Sequence, residues 1–183
     1  MNELFKDLPD ALKNNENFPL RISYRPVNSV PILPNIQTSD NKNIDEILKS
    51  IEEISKKIDK EKEGANLVDS LRKRVRFVKD QAFEKIPRVA AIEWIDPFFT
   101  SGHWVPEMIE IAGGKNLISS EKMPSWKMQL EESRDADSDV IVIMTCGFDV
   151  KRTIDEYNKT LAENKEWNNL RVVKENNVYA VDA

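Results

Sequence analysis

The chain has 183 residues, 40% of them hydrophobic, with 27 Lys and Arg against 32 Asp and Glu, a formal net charge of -5, one His and one Cys. That is enough apolar material for one ordinary domain or two small lobes. The interspersed charge lacks the basic block that grips nucleic acid, the lone cysteine excludes an internal disulfide or a multi-cysteine zinc site, and no apolar run is long enough to span a bilayer.

The opening residues show neither the basic nor the apolar segment of a secretory signal, so export would require a signal already removed. Five of the nine prolines, Pro9, Pro19, Pro26, Pro31 and Pro34, fall within residues 1–42. They leave only the short apolar runs Leu20–Tyr24 and Val30–Leu33 free to pair as strands. From Ile44 onward, Ile44, Ile47, Leu48, Ile51, Ile54 and Ile58 recur at helical spacing. Asn43, with Glu46 three residues on, supplies an N-cap and its capping-box partner. A second stripe, Leu67, Leu71, Val75, Val78 and Ala82, is backed by Arg72, Lys73, Arg74, Arg76 and Lys79, which read most simply as a solvated face. A helix of about twenty residues spans roughly 30 Å, enough to bridge two lobes, although two helices packed on one sheet would use the same pattern.

The remainder alternates strand and helix. Val89–Trp94 predicts a strand. Val105, Met108, Ile109 and Ala112 predict a helix begun near Pro106 and stopped at Gly113-Gly114. Val140–Met144 predicts a strand apolar enough to be buried on both faces, and Asp149 caps a helix carrying Val150, Ile154, Tyr157 and Leu161 on one side. Leu170–Val173 and Val178–Val181 flank a turn at Lys174–Asn177 and predict a third strand and a short return. This is the grammar of a three-layer α/β lobe.

In open parallel sheets ligands lie beyond the carboxyl ends of the strands, where two turns emerge here, Ile95–Trp104 and Thr145–Asp149. Asp96, Phe98, Phe99, His103 and Trp104 from the first are expected near Cys146, Gly147 and Phe148 from the second, with Trp94 either ending its strand in the core or reaching the same pocket. Phe98 and Phe99 follow Pro97 and cannot easily both point inward. Gly102 and Gly147 permit close backbone approach or unusual dihedrals. Duller readings stand beside these. His103 and Glu107 have the spacing of a helical metal pair but also of a solvated ion pair, so no metal site is assigned. Asp96 is a candidate base or a turn cap. Cys146 beside a helix start would need His103 within reach to act as a nucleophile, so no catalytic residue is assigned.

Three stretches, EWIDPFFTSGHWVPEMIEIAGGKNL, PSWKMQLEESRDADSDVIVIMTCGFDVKRT and WNNLRVVKENNVYAVDA, together resemble the second lobe of the helical-backbone (class III) substrate-binding proteins of ABC importers. The similarity covers about residues 43–183 and is strongest to the cobalamin-binding branch, beside the haem and iron-siderophore binders. It implies an α/β fold with a C-terminal Rossmann-like lobe on a parallel sheet, a long linking helix and an incomplete or divergent N-terminal lobe. The corresponding divisions are 1–62, 63–84 and 85–183. It implies no catalysis and no resident cofactor, a location outside the cytoplasm tethered to the membrane, and a cobalamin-like or iron-chelate ligand held in an interlobe cleft for delivery to a permease. Carried over by position, the ligand wall comprises Trp94, Asp96, Phe98, Phe99, Gly102, His103, Trp104, Cys146, Gly147 and Phe148, and Glu131 matches an acidic residue that docks on permease arginines.

Two departures accompany the match. Residues 1–42 lack the family's opening strand-helix unit, and after Val181 the chain stops where relatives continue into a further helix. The expectation is a truncated or divergent receptor whose unmated face favours a homodimer. The alternative is an α/β protein-interaction domain whose aromatic loop docks a protein.

Overall fold

The computed structural model describes residues 21–23, 36–38, 41–81 and 85–182. The chain divides into two compact units, Met1–Asp40 and Asn41–Ala183. In the first, β1 (Arg21–Ser23) pairs in parallel with β2 (Ile36–Thr38), Arg21 opposite Ile36. The first strand falls inside the predicted Leu20–Tyr24 run. The predicted run Val30–Leu33 lies outside the described residues, and the partner strand is built from residues further on.

The second unit opens with two helices, α1 (Ile44–Lys57) and α2 (Glu61–Lys79). Asn43 caps α1 as expected, its side chain accepting from the Glu46 N–H at 2.8 Å. The return arm of the predicted box lands one residue earlier, with the Lys42 N–H donating to Glu46 Oε2 at 2.7 Å. A long-range bond adds to this start: the Ile44 N–H donates to Glu107 Oε2 at 2.7 Å, tying α1 to the following lobe. The two helices press together where Gly64 meets the side chain of Ser55, a contact with no room for a Cβ. The buried line on α2 therefore runs through Gly64 and Val68 to the half-buried Leu71 and Val75. Leu71 and Val75 follow the predicted stripe, whereas Leu67 and Val78 are exposed because Gly64 draws the contact line to one side. The helix ends at Lys79, and Ala82 and Phe83 of the predicted bridge lie outside the described residues.

The lobe is built on β3 (Arg88–Trp94), β6 (Val140–Ile143) and β7 (Val178–Ala180), adjacent and parallel in that order. The outer edge of β3 is shared by two short strands. β4 (Phe99–Thr100) pairs antiparallel with its carboxyl half and β5 (Lys115–Asn116) parallel with its amino half. Between them α3 (Val105–Ile111) starts with Pro106 in its first turn and is stopped by Gly113 at φ 82°. Gly114 is held to glycine by packing, since a Cβ there would approach Val89 Cγ2 at 2.9 Å.

One face of the sheet carries the core: Ala90, Ile92, Ile141 and Ile143 pack with Ile95, Met128, Leu161, Trp167, Leu170 and Val172. Trp167 is fully buried, its indole N–H donating to the Tyr157 hydroxyl at 2.9 Å. Burial of such side chains contributes roughly 1.5–3 kcal/mol each. The helices over this face are α4 (Leu130–Ala136), α5 (Val150–Thr160), α6 (Lys165–Asn169) and α7 (Arg171–Lys174).

Two sequence expectations change here. Strand β6 is not buried on both faces: Ile141 and Ile143 are buried in the larger core cluster while Val140 and Val142, on the other face, are only half-covered. Leu170–Val173 is not a strand, since α7 occupies it. Leu170, Val172 and Val173 all face the core, and an alternating strand would have turned Val173 the other way.

At the amino ends of the strands a dense ion lattice fixes the register. Arg88 bonds Asp137 and Asp139 at 3.1 Å each, and Arg171 bonds Asp139 at 2.8 Å and Asp137 at 3.0 Å. The Arg88 guanidinium and backbone N–H together with Arg171 hold the Asp139 carboxyl far below the usual carboxylate range.

Candidate functional site

The opposite, carboxyl end of the sheet presents both predicted turns side by side, because β3 and β6 are neighbours. The Met144 N–H donates to the Ile92 carbonyl at 2.8 Å, and one step on the Cys146 N–H donates to the Glu93 carbonyl at 3.2 Å. The ladder thus runs past the last strand residue and carries the second turn onto the first. There the Trp94 and Phe148 rings meet edge to face, centroids 5.1 Å apart. Both are half-buried, so the pair is a shelf rather than core. The Trp94 indole N–H donates to the Asp96 carbonyl at 2.9 Å, which fixes the ring against its own turn. Arg152 lies over the Phe148 ring, 3.6 Å from its centroid, a cation–π contact reaching from the first turn of α5.

The second turn ends in a firm helix start, with Asp149 accepting from the Arg152 N–H at 2.7 Å and the Val150 N–H donating to Asp182. Between shelf and helix, Cys146 and Gly147 are exposed, and Gly147 takes φ 73° with nothing within 4 Å of where a Cβ would stand. Of the two uses expected of it, the unusual dihedral is what the structure shows.

The first turn is organised differently. After Asp96 and a cis bond to Pro97, both exposed, Phe98 turns toward the core and stacks edge-on against Trp167 at 6.1 Å. Phe99 instead sits in β4 opposite Trp94, half-buried, and so belongs with the shelf. The chain then runs back along β3: the Ser101 N–H donates to the Ala91 carbonyl at 2.9 Å. This carries Gly102, His103 and Trp104 away from the strand end. Gly102 is buried under residues 123–125, where a Cβ would collide with Ser125 N and stand 2.6 Å from Pro124 C. Its close approach is to the protein's own backbone. His103 takes φ 57°, donates its N–H to the Met123 carbonyl at 2.7 Å and packs its ring 5.8 Å from that of Trp104.

The predicted residues therefore separate into two groups. Trp94, Asp96, Phe99, Cys146, Gly147 and Phe148 share the rim, while Gly102, His103 and Trp104 line the flank and Phe98 supports from within. Glu93 joins the groups and was not singled out by sequence reasoning. Its carbonyl receives Cys146, and its half-buried carboxyl accepts from Ser125 Oγ at 3.4 Å. Burial pushes that carboxyl up from its ordinary value, opposed by the nearby His103, Ser125 and the Gly102 N–H. Strand alternation was the available signal, since Glu93 occupies an apolar strand between Ile92 and Trp94. Glu107 is committed to the Ile44 N–H rather than standing free to join His103. Glu131 lies apart from both groups, exposed in the first turn of α4. A hollow of about 310 Å³ lined by Thr100, Leu117, Ile118, Trp126, Met128, Glu132 and Ala136 contains none of the predicted site residues.

Comparison with known proteins bears on this geometry. No curated protein matches the chain. Among solved structures, the haem-complexed IsdE of S. aureus superposes with a TM-score of 0.68 at 18% identity, over 80% of this chain and 58% of its own. An Fe3+-hydroxamate transport protein from Saccharomonospora viridis gives 0.66 at 20% identity over 81% and 54%. The vitamin B12 binding protein BtuF of Vibrio cholerae gives 0.60 at 24% identity over 79% and 55%. The likeness to these is one of fold, and the chain spans a little over half the length of each. The family model described as periplasmic binding protein matches residues 27–183. The chain belongs to the periplasmic binding protein family, whose members bind rather than catalyse.

Proposed function

We propose that this chain serves as the solute-binding component of an ABC importer, working outside the cytoplasm. Its ligand is a flat, largely apolar chelate with polar edges, of the corrinoid, haem or ferric-siderophore class. The observation that carries the reading is the meeting of Trp94 and Phe148 beyond the carboxyl ends of adjacent parallel strands. Solvent-facing aromatic edges cover an apolar ring, while Asp96, the Cys146–Gly147 backbone and Arg152 offer donors and acceptors to peripheral amides or carboxylates. Fold neighbours described as haem and vitamin B12 binders support the ligand class. Within the class, the resemblance to EWIDPFFTSGHWVPE favours a corrinoid. In this reading α2 belongs to the helical backbone between lobes, and Glu131 marks the face presented to the permease.

The test is calorimetric titration with cyanocobalamin, hemin and a ferric hydroxamate, paralleled by fluorescence of the four tryptophans. Binding of one of the three, weakened about tenfold by Phe148→Ala without loss of fold, supports the reading. Silence with all three, or binding indifferent to Phe148→Ala and Trp94→Phe, removes it.

A further inference from the structure

Arg152 stands in the first turn of α5, exposed, with its guanidinium carbon 3.6 Å from the centroid of the Phe148 ring. That ring is the one that meets Trp94 edge to face, so a positive charge is fixed at the border of the aromatic shelf. We infer that Arg152 sets ligand specificity by forking onto an anionic oxygen group, a phosphodiester or a carboxylate, at the edge of the flat chelate, so that the site prefers charged members of that class over neutral ones. This rests on the chelate reading above and deepens it by naming the ligand group that the rim selects.

The cations of the lobe differ in what holds them. Arg88 and Arg171 are bound by Asp137 and Asp139, Arg134 by Asp135, and Lys151, next to Arg152 in sequence, by Asp155 at 2.8 Å. Among the described residues no hydrogen bond or ion pair engages the Arg152 guanidinium, although two carboxylates stand at the same helix start. Both are committed to backbone: Asp149 accepts from the Arg152 N–H and Asp182 from the Val150 N–H, each at 2.7 Å. Those bonds also occupy the helix start, which leaves the guanidinium rather than the opening amides of α5 to meet an anion. The Trp94 indole N–H is likewise spent, on the Asp96 carbonyl. A cation seated on a ring keeps its N–H donors, because the contact uses its charge rather than its hydrogens. The ring also restrains the long side chain, so less freedom is lost when the planar fork engages two oxygens. An arginine that only steadied Phe148 would make the same ring contact but would treat charged and neutral ligands alike.

Two ligand pairs differ in the anionic group: cyanocobalamin with its phosphodiester against dicyanocobinamide without it, and hemin with free propionates against hemin dimethyl ester. Each compound is titrated calorimetrically into the full chain and into Arg152→Gln and Arg152→Lys. The expected result is a preference for the charged member of one pair that falls about fivefold in Arg152→Gln and is partly kept in Arg152→Lys. The pair that shows it identifies the source of the anion. Equal affinity within both pairs, a preference that Arg152→Gln leaves intact, or binding confined to an uncharged ferric hydroxamate overturns the assignment, with unchanged circular dichroism showing that the variants fold. The two readings fail separately: chelate binding that ignores ligand charge defeats the role of Arg152 alone, whereas silence from every chelate removes the receptor reading and this role together.

Discussion

The two turns at the carboxyl end of the sheet are neighbours in space and opposites in construction. The turn after β3 is woven into the lobe. Phe98 reaches Trp167, Gly102 is pinned under residues 123–125, and backbone bonds link Thr100 to Trp126, His103 to Met123 and Met128 to Phe98. The turn after β6 is held by the Cys146–Glu93 ladder bond, the Trp94–Phe148 ring contact and the start of α5, with Cys146 and Gly147 open. The contrast teaches a division of construction: one turn is fixed by the core and by neighbouring backbone, and the other leaves its tip at Cys146 and Gly147 exposed.

The largest expected disturbance to this contrast is Trp167→Ala, which deletes the support beneath Phe98 and should cost about 3–5 kcal/mol in chemical denaturation. Should stability fall by less than half of that, the first turn does not depend on the core in the way described. Gly102→Ala comes next. Its Cβ meets backbone rather than a yielding side chain, and a loss of about 1–3 kcal/mol is expected, with amide exchange accelerated at 123–125. Gly147→Ala sharpens the comparison from the other side, since only the left-handed dihedral opposes it. About 1 kcal/mol is expected, without faster exchange elsewhere. A Gly147 variant as damaging as the Gly102 one would erase the distinction between the turns.

The smallest effect concerns the residue that joins them. Because burial raises the Glu93 carboxyl, the folded state holds the proton more tightly than the unfolded chain. Its contribution then favours folding below the ordinary value and is withdrawn as pH rises through the folded one. Glu93→Gln should raise Tm by about 1–2 °C at pH 7 to 8 and leave it unchanged near pH 4. A Tm gain independent of pH would show that packing, not ionisation, is responsible.

Local signals in the sequence were legible wherever the physics is local. Asn43 and Asp149 cap helices, Pro106 and Gly113 bound one, and the turns after Trp94 and Met144 lie on one edge because parallel strands place them there. Leu170–Val173 misled because branched side chains favour strand in isolation, whereas the core accepts Leu170, Val172 and Val173 together. The choice between Phe98 and Phe99 was invisible for a related reason, since the partner that selects Phe98 is Trp167, far along the chain. Glycine at 102 was legible as a constraint but not as to its cause: the backbone pressing on it belongs to residues 123–125.

By itself, the sequence determined most of the strand-helix alternation, the parallel centre of the sheet and the edge at which the two turns emerge. Periodicity, caps and breakers act within a few residues and need no distant partner. Only the tertiary structure decided that Trp94 and Phe148 form the shelf, that Phe98 and Gly102 hold it from behind, and that Arg88 and Arg171 share Asp137 and Asp139. Each of those outcomes is a competition among side chains distant in sequence for the same space or the same charge, and that competition is resolved only when the elements pack.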